Sequence, residues 1–314
     1  MIELTIISGK GGTGKTSVVG SLAALAKNKV LVDCDVDAAD LHLILGNNVK
    51  KSADFKGGHR ASINEELCTG CGICLDYCRF DSIKEVINES TGWVDKFRID
   101  QLSCEGCGVC TQFCPENAID FDEIVSGQWF LSETKYGPLV HARLGIAQAN
   151  SGKLVSLLRT KARNLADENR WDLVLIDGPP GIGCPVIASV TGASYVLIVT
   201  EPSLSAFHDL KRIMQLMDHF KMPYGLCINM FDINRQITAG IEHFARQNNI
   251  EVLGKIPYDV AVTKAQVAGT TIIDYTDNSV SDHIRLLWNN LETELNSYIN
   301  KQRSKVHENR NTFG

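Results

Sequence analysis

Gly9-Lys10-Gly11-Gly12-Thr13-Gly14-Lys15-Thr16 is the stretch that decides the fold of this chain. The octapeptide fits G-x4-G-K-[ST] and stands where that motif works, between an apolar strand, Glu3–Ile7, and a helix expected from Thr16 to about Ala26. Glycines let backbone N–H groups converge on phosphate oxygens, and a helix N-terminus adds partial positive charge. Lys15 is placed to pair with the β- and γ-phosphates, and the Thr16 hydroxyl to ligate Mg²⁺. A glycine-rich turn without a ligand is the bland alternative, and the strand–loop–helix context argues against it.

Outward from this loop the rhythm is that of a parallel sheet. Val30–Val32 reads as a second strand, closed by Asp33-Cys34-Asp35. After residue 125, helices at 153–169, 205–219 and about 237–247 alternate with strands at 173–176, 195–199, 224–228 and 252–256. Near-continuous apolar runs suit strands covered on both faces, so the expected class is α/β, a doubly wound, mostly parallel sheet. The final helix carries Ile284, Leu287, Leu291, Leu295 and Ile299 on one side. Its polar side lacks a basic stripe, so packing on the sheet is favoured over a membrane surface. The polar tail after Lys301 is expected to fray.

Between Lys56 and about Phe121 the rhythm breaks. Eight of the eleven cysteines lie there in two copies of C-x2-C-x2-C-x3-C: Cys68, Cys71, Cys74, Cys78 and Cys104, Cys107, Cys110, Cys114. Zinc also favours C-x2-C pairs, but a zinc ribbon uses two pairs per ion, not three cysteines at successive x2 gaps. The stretch resembles bacterial two-cluster ferredoxins, in which the fourth cysteine of each run ligates the other cluster. That resemblance implies an inserted ferredoxin-like (α+β) domain over 59–124, within a P-loop domain made of 1–58 and 125–314. It assigns Cys68, Cys71, Cys74 and Cys114 to one 4Fe–4S cluster, and Cys78, Cys104, Cys107 and Cys110 to the other. Arg79 follows Cys78 where such ferredoxins carry proline. The change leaves ligation intact but alters the surroundings of one cluster.

Composition bounds the rest. The chain has 314 residues, 44 % of them hydrophobic and 22 % charged, with formal charge −6. Two oxidised clusters, each roughly −2 with its thiolates, bring this to about −10. Nothing suggests a nucleic-acid partner, and no apolar run is long enough for a membrane span or anchor. Metal-type cysteine spacing after a start that is not a signal peptide gives the expectation of a reduced, cytoplasmic protein.

Lys10 makes the loop K-G-G-T-G-K-T, which resembles the deviant Walker A motif of the MinD/Mrp/ParA/NifH class of P-loop ATPases. The resemblance covers nearly the whole chain. It implies ATP/ADP and Mg²⁺ as ligands and an ATP-dependent homodimer, or a heterodimer with a related ATPase. Lys10 would reach the partner's nucleotide in the manner of an arginine finger. Asp33 and Asp35 match switch I, with Asp35 at the position implicated in hydrolysis. Asp177 matches the Walker B aspartate ahead of switch II, residues 177–183. Asn229 matches a position that contacts adenine, although asparagine also suits a plain strand-end turn. Asp37 and Asp40 are equally well explained as a solvated acidic turn.

Three cysteines fall outside the quartets. Of Cys34, Cys184 and Cys227, Cys227 suits a small buried strand position, while Cys184, just after the switch II match, is explained either by loop packing or by a redox role. No histidine sits in a ligand pattern. Three functions compete: ATP-coupled electron transfer with a redox partner, iron–sulfur delivery to an apo-acceptor as in Mrp-type carriers, and a MinD/ParA-like positioning switch. The Mrp type holds its cluster at a C-terminal C-x-x-C, which this chain lacks after Cys114. The basic surfaces that positioning uses are not evident either.

Overall fold

The computed structural model describes residues 1–145 and 151–311. In chain order the elements are β1 (Ile2–Ser8), α1 (Lys15–Leu25), β2 (Lys29–Asp33), α2 (Leu41–Leu45), β3 (Asn48–Ile63), α3 (Ile73–Tyr77), β4 (Ile83–Ile87) and β5 (Val94–Ile99). Then come α4 (Val109–Phe113), β6 (Ile119–Thr134), β7 (Gly137–Leu144), α5 (Ser151–Asn169), β8 (Leu173–Pro180), α6 (Cys184–Val190) and β9 (Tyr195–Thr200). The chain ends with α7 (Leu204–His219), β10 (Tyr224–Asn229), α8 (Arg235–Gln247), β11 (Val252–Ile256), α9 (Val260–Val267), α10 (Ile272–Tyr275) and α11 (Ser279–Asn311).

Two compact units emerge. The first comprises Met1–Ser52, Trp129–Arg143 and the chain from Ser151, and the second is built on Ala53–Gln128. The chain enters the second unit along β3 and leaves it along β6.

The main sheet has the order β11-β10-β9-β1-β8-β2-β7-β6-β3. The pairs from β11 through β7 are parallel. Only two residues join β6 to β7, which makes that pair an antiparallel hairpin. Apolar residues cover both faces of the parallel part. Leu4, Ile6 and Leu31 pack toward Leu22, Leu287 and Leu291, while Ile7, Val196 and Ile198 pack toward Leu210, Ile213 and Met214. Arg159 and Arg163 of α5 both bond the buried Glu3 carboxylate, fixing that helix on the sheet. The sequence reading of the final helix is partly corrected. Ile284, Leu287, Leu291 and Leu295 are buried as expected and Ile299 is half-buried, but the helix continues past Lys301 to Asn311, and no proline or glycine interrupts that segment. Residues 312–314 of the expected fraying tail lie outside the described residues.

The second unit has a small core of Ala61, Cys74, Ile83, Phe97 and Ile119, with Cys78, Cys104, Cys110 and Cys114 packed against it. β4 and β5 form an antiparallel hairpin. The internal repeat is visible as pseudosymmetry: Tyr77 and Phe113 occupy equivalent positions and stack with ring centroids 3.9 Å apart. Gly70 and Gly106, equivalent residues inside the first C-x2-C of each copy, take φ of +70° and +62°. A Cβ on Gly106 would lie 2.0 Å from the His59 carbonyl oxygen, so neither conformation nor space admits another residue there.

Candidate functional site

The carboxyl ends of β1, β8, β10 and β11 open onto a cavity of about 760 Å³ in the first unit, lined there by Ser8, Pro180, Asn229 and Ile256. This is the end of a parallel sheet at which ligands bind. Gly11 through Val18 form its floor, and Asp35, Asp37 and Asp40 stand at one side. Pro257, Tyr258 and Asp259, which no motif singled out, line the wall beyond β11. Asn229 donates from Nδ2 to the Thr13 carbonyl at 2.8 Å, so the strand end holds the glycine loop. Gln266 bonds Ser17 across the same mouth at 2.7 Å.

Lys15 sits at the centre of a carboxylate cluster. Its Nζ lies 2.5 Å from Asp177 Oδ1 and 3.8 Å from Asp35 Oδ2. Burial works to lower the ammonium's pKa, but Asp177, Asp33 and Asp35 together hold it above its ordinary value. Asp33 is fully buried, and burial beside Asp177 raises its carboxyl well above the usual range. It accepts from the backbone N–H groups of Asp35 and Leu41, so its side chain organises the loop after β2 and does not line the cavity. Asp35 does line it, and burial with Asp177 and Asp37 nearby pushes its carboxyl up to about 6. Asp177 Oδ2 and Thr13 Oγ1 are buried without a hydrogen-bond partner among the described residues. Buried polar atoms of this kind, facing a glycine loop, suit a metal–phosphate ligand.

Gly9 and Lys10 stand apart from the cavity lining. A Cβ on Gly9 would meet the Asp209 Cβ at 2.7 Å, so the loop is pressed on α7 there. The Lys10 ammonium turns to the β9–α7 connection, 2.7 Å from Glu201 Oε1, 3.1 Å from Ser205 Oγ and 3.3 Å from Ser203 Oγ. No sequence signal marked those three partners. Gly181 N–H donates to the Ser8 carbonyl at 2.8 Å, tying the turn after β8 to the end of β1.

None of the eleven cysteines is joined in a disulfide. In the second unit, one cavity is lined by Cys68, Cys71, Cys74 and Cys114, and another by Cys78, Cys104, Cys107 and Cys110. Each quartet thus draws its fourth member from the other repeat. Among the described residues no three His, Cys, Asp or Glu side chains are grouped as they would be around a single metal ion. Cys34 and Cys227 are buried, and burial pushes both thiols up, Cys227 to about 12. Cys184 is exposed at the start of α6. No described helix is long and apolar enough to cross a membrane.

Comparison with known proteins agrees with this geometry. An uncharacterized protein of Methanocaldococcus jannaschii is 32 % identical over 300 residues, covering 93 % of this chain and 97 % of the relative. A Pyrococcus horikoshii protein named iron-sulfur cluster carrier protein is 26 % identical over 295 residues, covering 88 % and 80 %. Among solved structures, the septum site-determining protein MinD of Pyrococcus horikoshii, complexed with Mg-ADP, superposes with a TM-score of 0.56 at 14 % identity. That match covers 95 % of this chain and 98 % of the other. The family model for the CobQ/CobB/MinD/ParA nucleotide binding domain matches residues 4–272. With that match laid over a glycine loop, a buried lysine and a strand-end cavity, the chain belongs to this family and is a P-loop ATPase.

Proposed function

We propose that this ATPase works as an ATP-dependent dimer coupling its nucleotide state to electron transfer through two 4Fe–4S clusters in an inserted ferredoxin-like domain, residues 59–124. The observation that carries this reading is the pair of four-cysteine cavities in the same chain as the nucleotide cavity. Four cysteines line each cavity, one thiolate for each iron of a cubane, and the runs of three cysteines at successive x2 gaps are of iron–sulfur rather than zinc-ribbon type. When bound there, the clusters supply one-electron storage. Cys71 and Cys107, the second cysteine of each run, are exposed and form the side of each site nearest solvent.

In the nucleotide site, Lys15 would exchange its carboxylate partners for phosphate oxygens, with Thr16 holding Mg²⁺ and Asp35 orienting the attacking water. The Asp33–Asp40 loop leads through α2 into β3, by which the chain enters the second unit. α2 is also tied to the β6–β7 hairpin. His42 stacks on His141, whose Nε2 lies 2.9 Å from Ser132 Oγ, and Ser132 donates to Asn47 at 2.7 Å. β3 therefore starts, and β6 ends, next to α2, the helix that directly follows the loop that would sense phosphate.

Lys10 tests the dimer. Because its ammonium lies on Glu201 and outside its own cavity, Lys10→Ala should leave ATP affinity within about twofold. Hydrolysis should fall by a factor of about 10² or more, as expected for loss of a charge that acts in trans. Equilibrium binding, phosphate release and sedimentation with an ATP analogue check it. Full hydrolysis by a variant that stays monomeric would remove the dimer from the account.

The similarity to an iron-sulfur cluster carrier protein favours a second reading, delivery of clusters to an apo-acceptor. That reading requires iron and sulfide to pass from this chain to an added apo-ferredoxin; retention of both clusters counts against it.

A further inference from the structure

The 36-residue offset between the two cysteine runs continues beyond them, and it pairs Ser82 with Ala118. Each residue stands four positions after the last cysteine of its run, Cys78 or Cys114. The backbones match: the preceding residues, Asp81 and Asn117, both take positive φ, +51° and +49°. Ser82 and Ala118 are both buried, and each lines the cavity of its own cysteine. The chemistry at the sulfur differs. Ser82 Oγ lies 3.2 Å from Cys78 Sγ, and that is the only hydrogen bond of the hydroxyl among the described residues. A backbone N–H reaches each sulfur, that of Ser82 at Cys78 and that of Ala118 at Cys114, the latter at 3.3 Å, and an alanine has no hydroxyl to add to it.

We propose that Ser82 is a tuning residue that makes the two clusters unequal, giving the one held with Cys78 the higher reduction potential. The inference rests on the reading that the quartets hold 4Fe–4S clusters. A cysteine bound to iron is a thiolate with no proton to give, so the Ser82 hydroxyl is the donor in this contact. Reduction adds one negative charge to a cluster, and a donor on a ligand sulfur stabilises the more negative state. A hydroxyl present on one side of a pseudosymmetric pair therefore raises one potential and leaves the other. With clusters bound, Cys78 would hold the one that more readily takes up a single electron and Cys114 the one that more readily gives it up, and Ser82 would set that order without forming or breaking a bond or moving a proton. The electron comes from a low-potential one-electron donor.

The test is a mediated redox titration of the anaerobically reconstituted full chain, followed by electron paramagnetic resonance, with dithionite as reductant. Wild type should show two waves. Ser82→Ala should lower the upper wave about tenfold in its reduction equilibrium constant, or about 59 mV for one electron, and leave the lower wave in place. Ala118→Ser should raise the lower wave by a similar factor, and Ser82→Thr should keep the wild-type pattern. Should Ser82→Ala lose a cluster, Ala118→Ser decides the matter alone. Two unmoved waves, or a shift confined to the wrong wave, overturns the role of Ser82. Absence of iron and sulfide from wild type instead overturns the cluster reading on which it rests.

Discussion

Lys15→Ala is expected to lower ATP hydrolysis by a factor of about 10³ or more and to destabilise the nucleotide-free protein as well. The first effect follows from loss of the one lysine that lines the cavity among the described residues. The second follows from what the side chain holds when no phosphate is present. Asp33 and Asp177 are 0 % and 1 % exposed, and Lys15 is the cation that bonds Asp177. Removing one partner from a buried ionic cluster costs about 3–5 kcal/mol, which corresponds to a melting point lower by roughly 10 °C.

The penalty also has a sign in pH. Asp33 and Asp35 have folded pKa values above their unfolded ones, Asp35 at about 6. Their protonated forms favour the folded state below the unfolded value, and that contribution is lost as pH rises through the folded value. Without Lys15 to offset the charge, the variant should lose more stability relative to wild type at pH 8 than at pH 5. Thermal melts at the two pH values, with phosphate release, check both halves. A variant as stable as wild type at pH 8 would contradict the ionic cluster described for the nucleotide-free site.

Replacing one cysteine from each quartet should have an equally large effect, confined to the second unit. Cys74→Ser is expected to reduce iron from about eight to about four atoms per chain, and Cys110→Ser likewise. The double variant should lose nearly all iron. Because the core of the second unit contains few apolar side chains beyond Ala61, Ile83, Phe97 and Ile119, it should then lose its structure. Limited proteolysis should cut within 53–128, while ATP binding by the first unit persists. Full iron content in both single variants would show that the cysteines do not ligate as assigned.

The parallel sheet was legible because its strands are apolar on both faces and its loop motif is constrained by phosphate geometry. The motif residues Lys15, Asp35 and Asn229 line one cavity, and Asp177 meets Lys15 beside it. The long strands β3 and β6 were not legible. β3 is polar and mostly exposed over its first seven residues, so it carries neither an apolar run nor a clean alternation. Pro257, Tyr258 and Asp259 were invisible for another reason: a cavity wall made by a strand-end turn has no fixed spacing from the phosphate loop. The partners of Lys10 were hidden too, since Glu201, Ser203 and Ser205 lie almost two hundred residues away. Ser82 is conspicuous only when the repeat is aligned through the second cysteine run and the sulfur contacts are known.

The central claim is that nucleotide and clusters communicate, and a redox titration with ADP and then with a non-hydrolysable ATP analogue tests it most directly. Coupling between two sites is reciprocal, so a nucleotide that senses the clusters must move their potentials. The account predicts that at least one wave shifts by about 59 mV, a tenfold change in equilibrium, between the two nucleotides. Identical potentials in both states, with both clusters intact and the nucleotide bound, would contradict it.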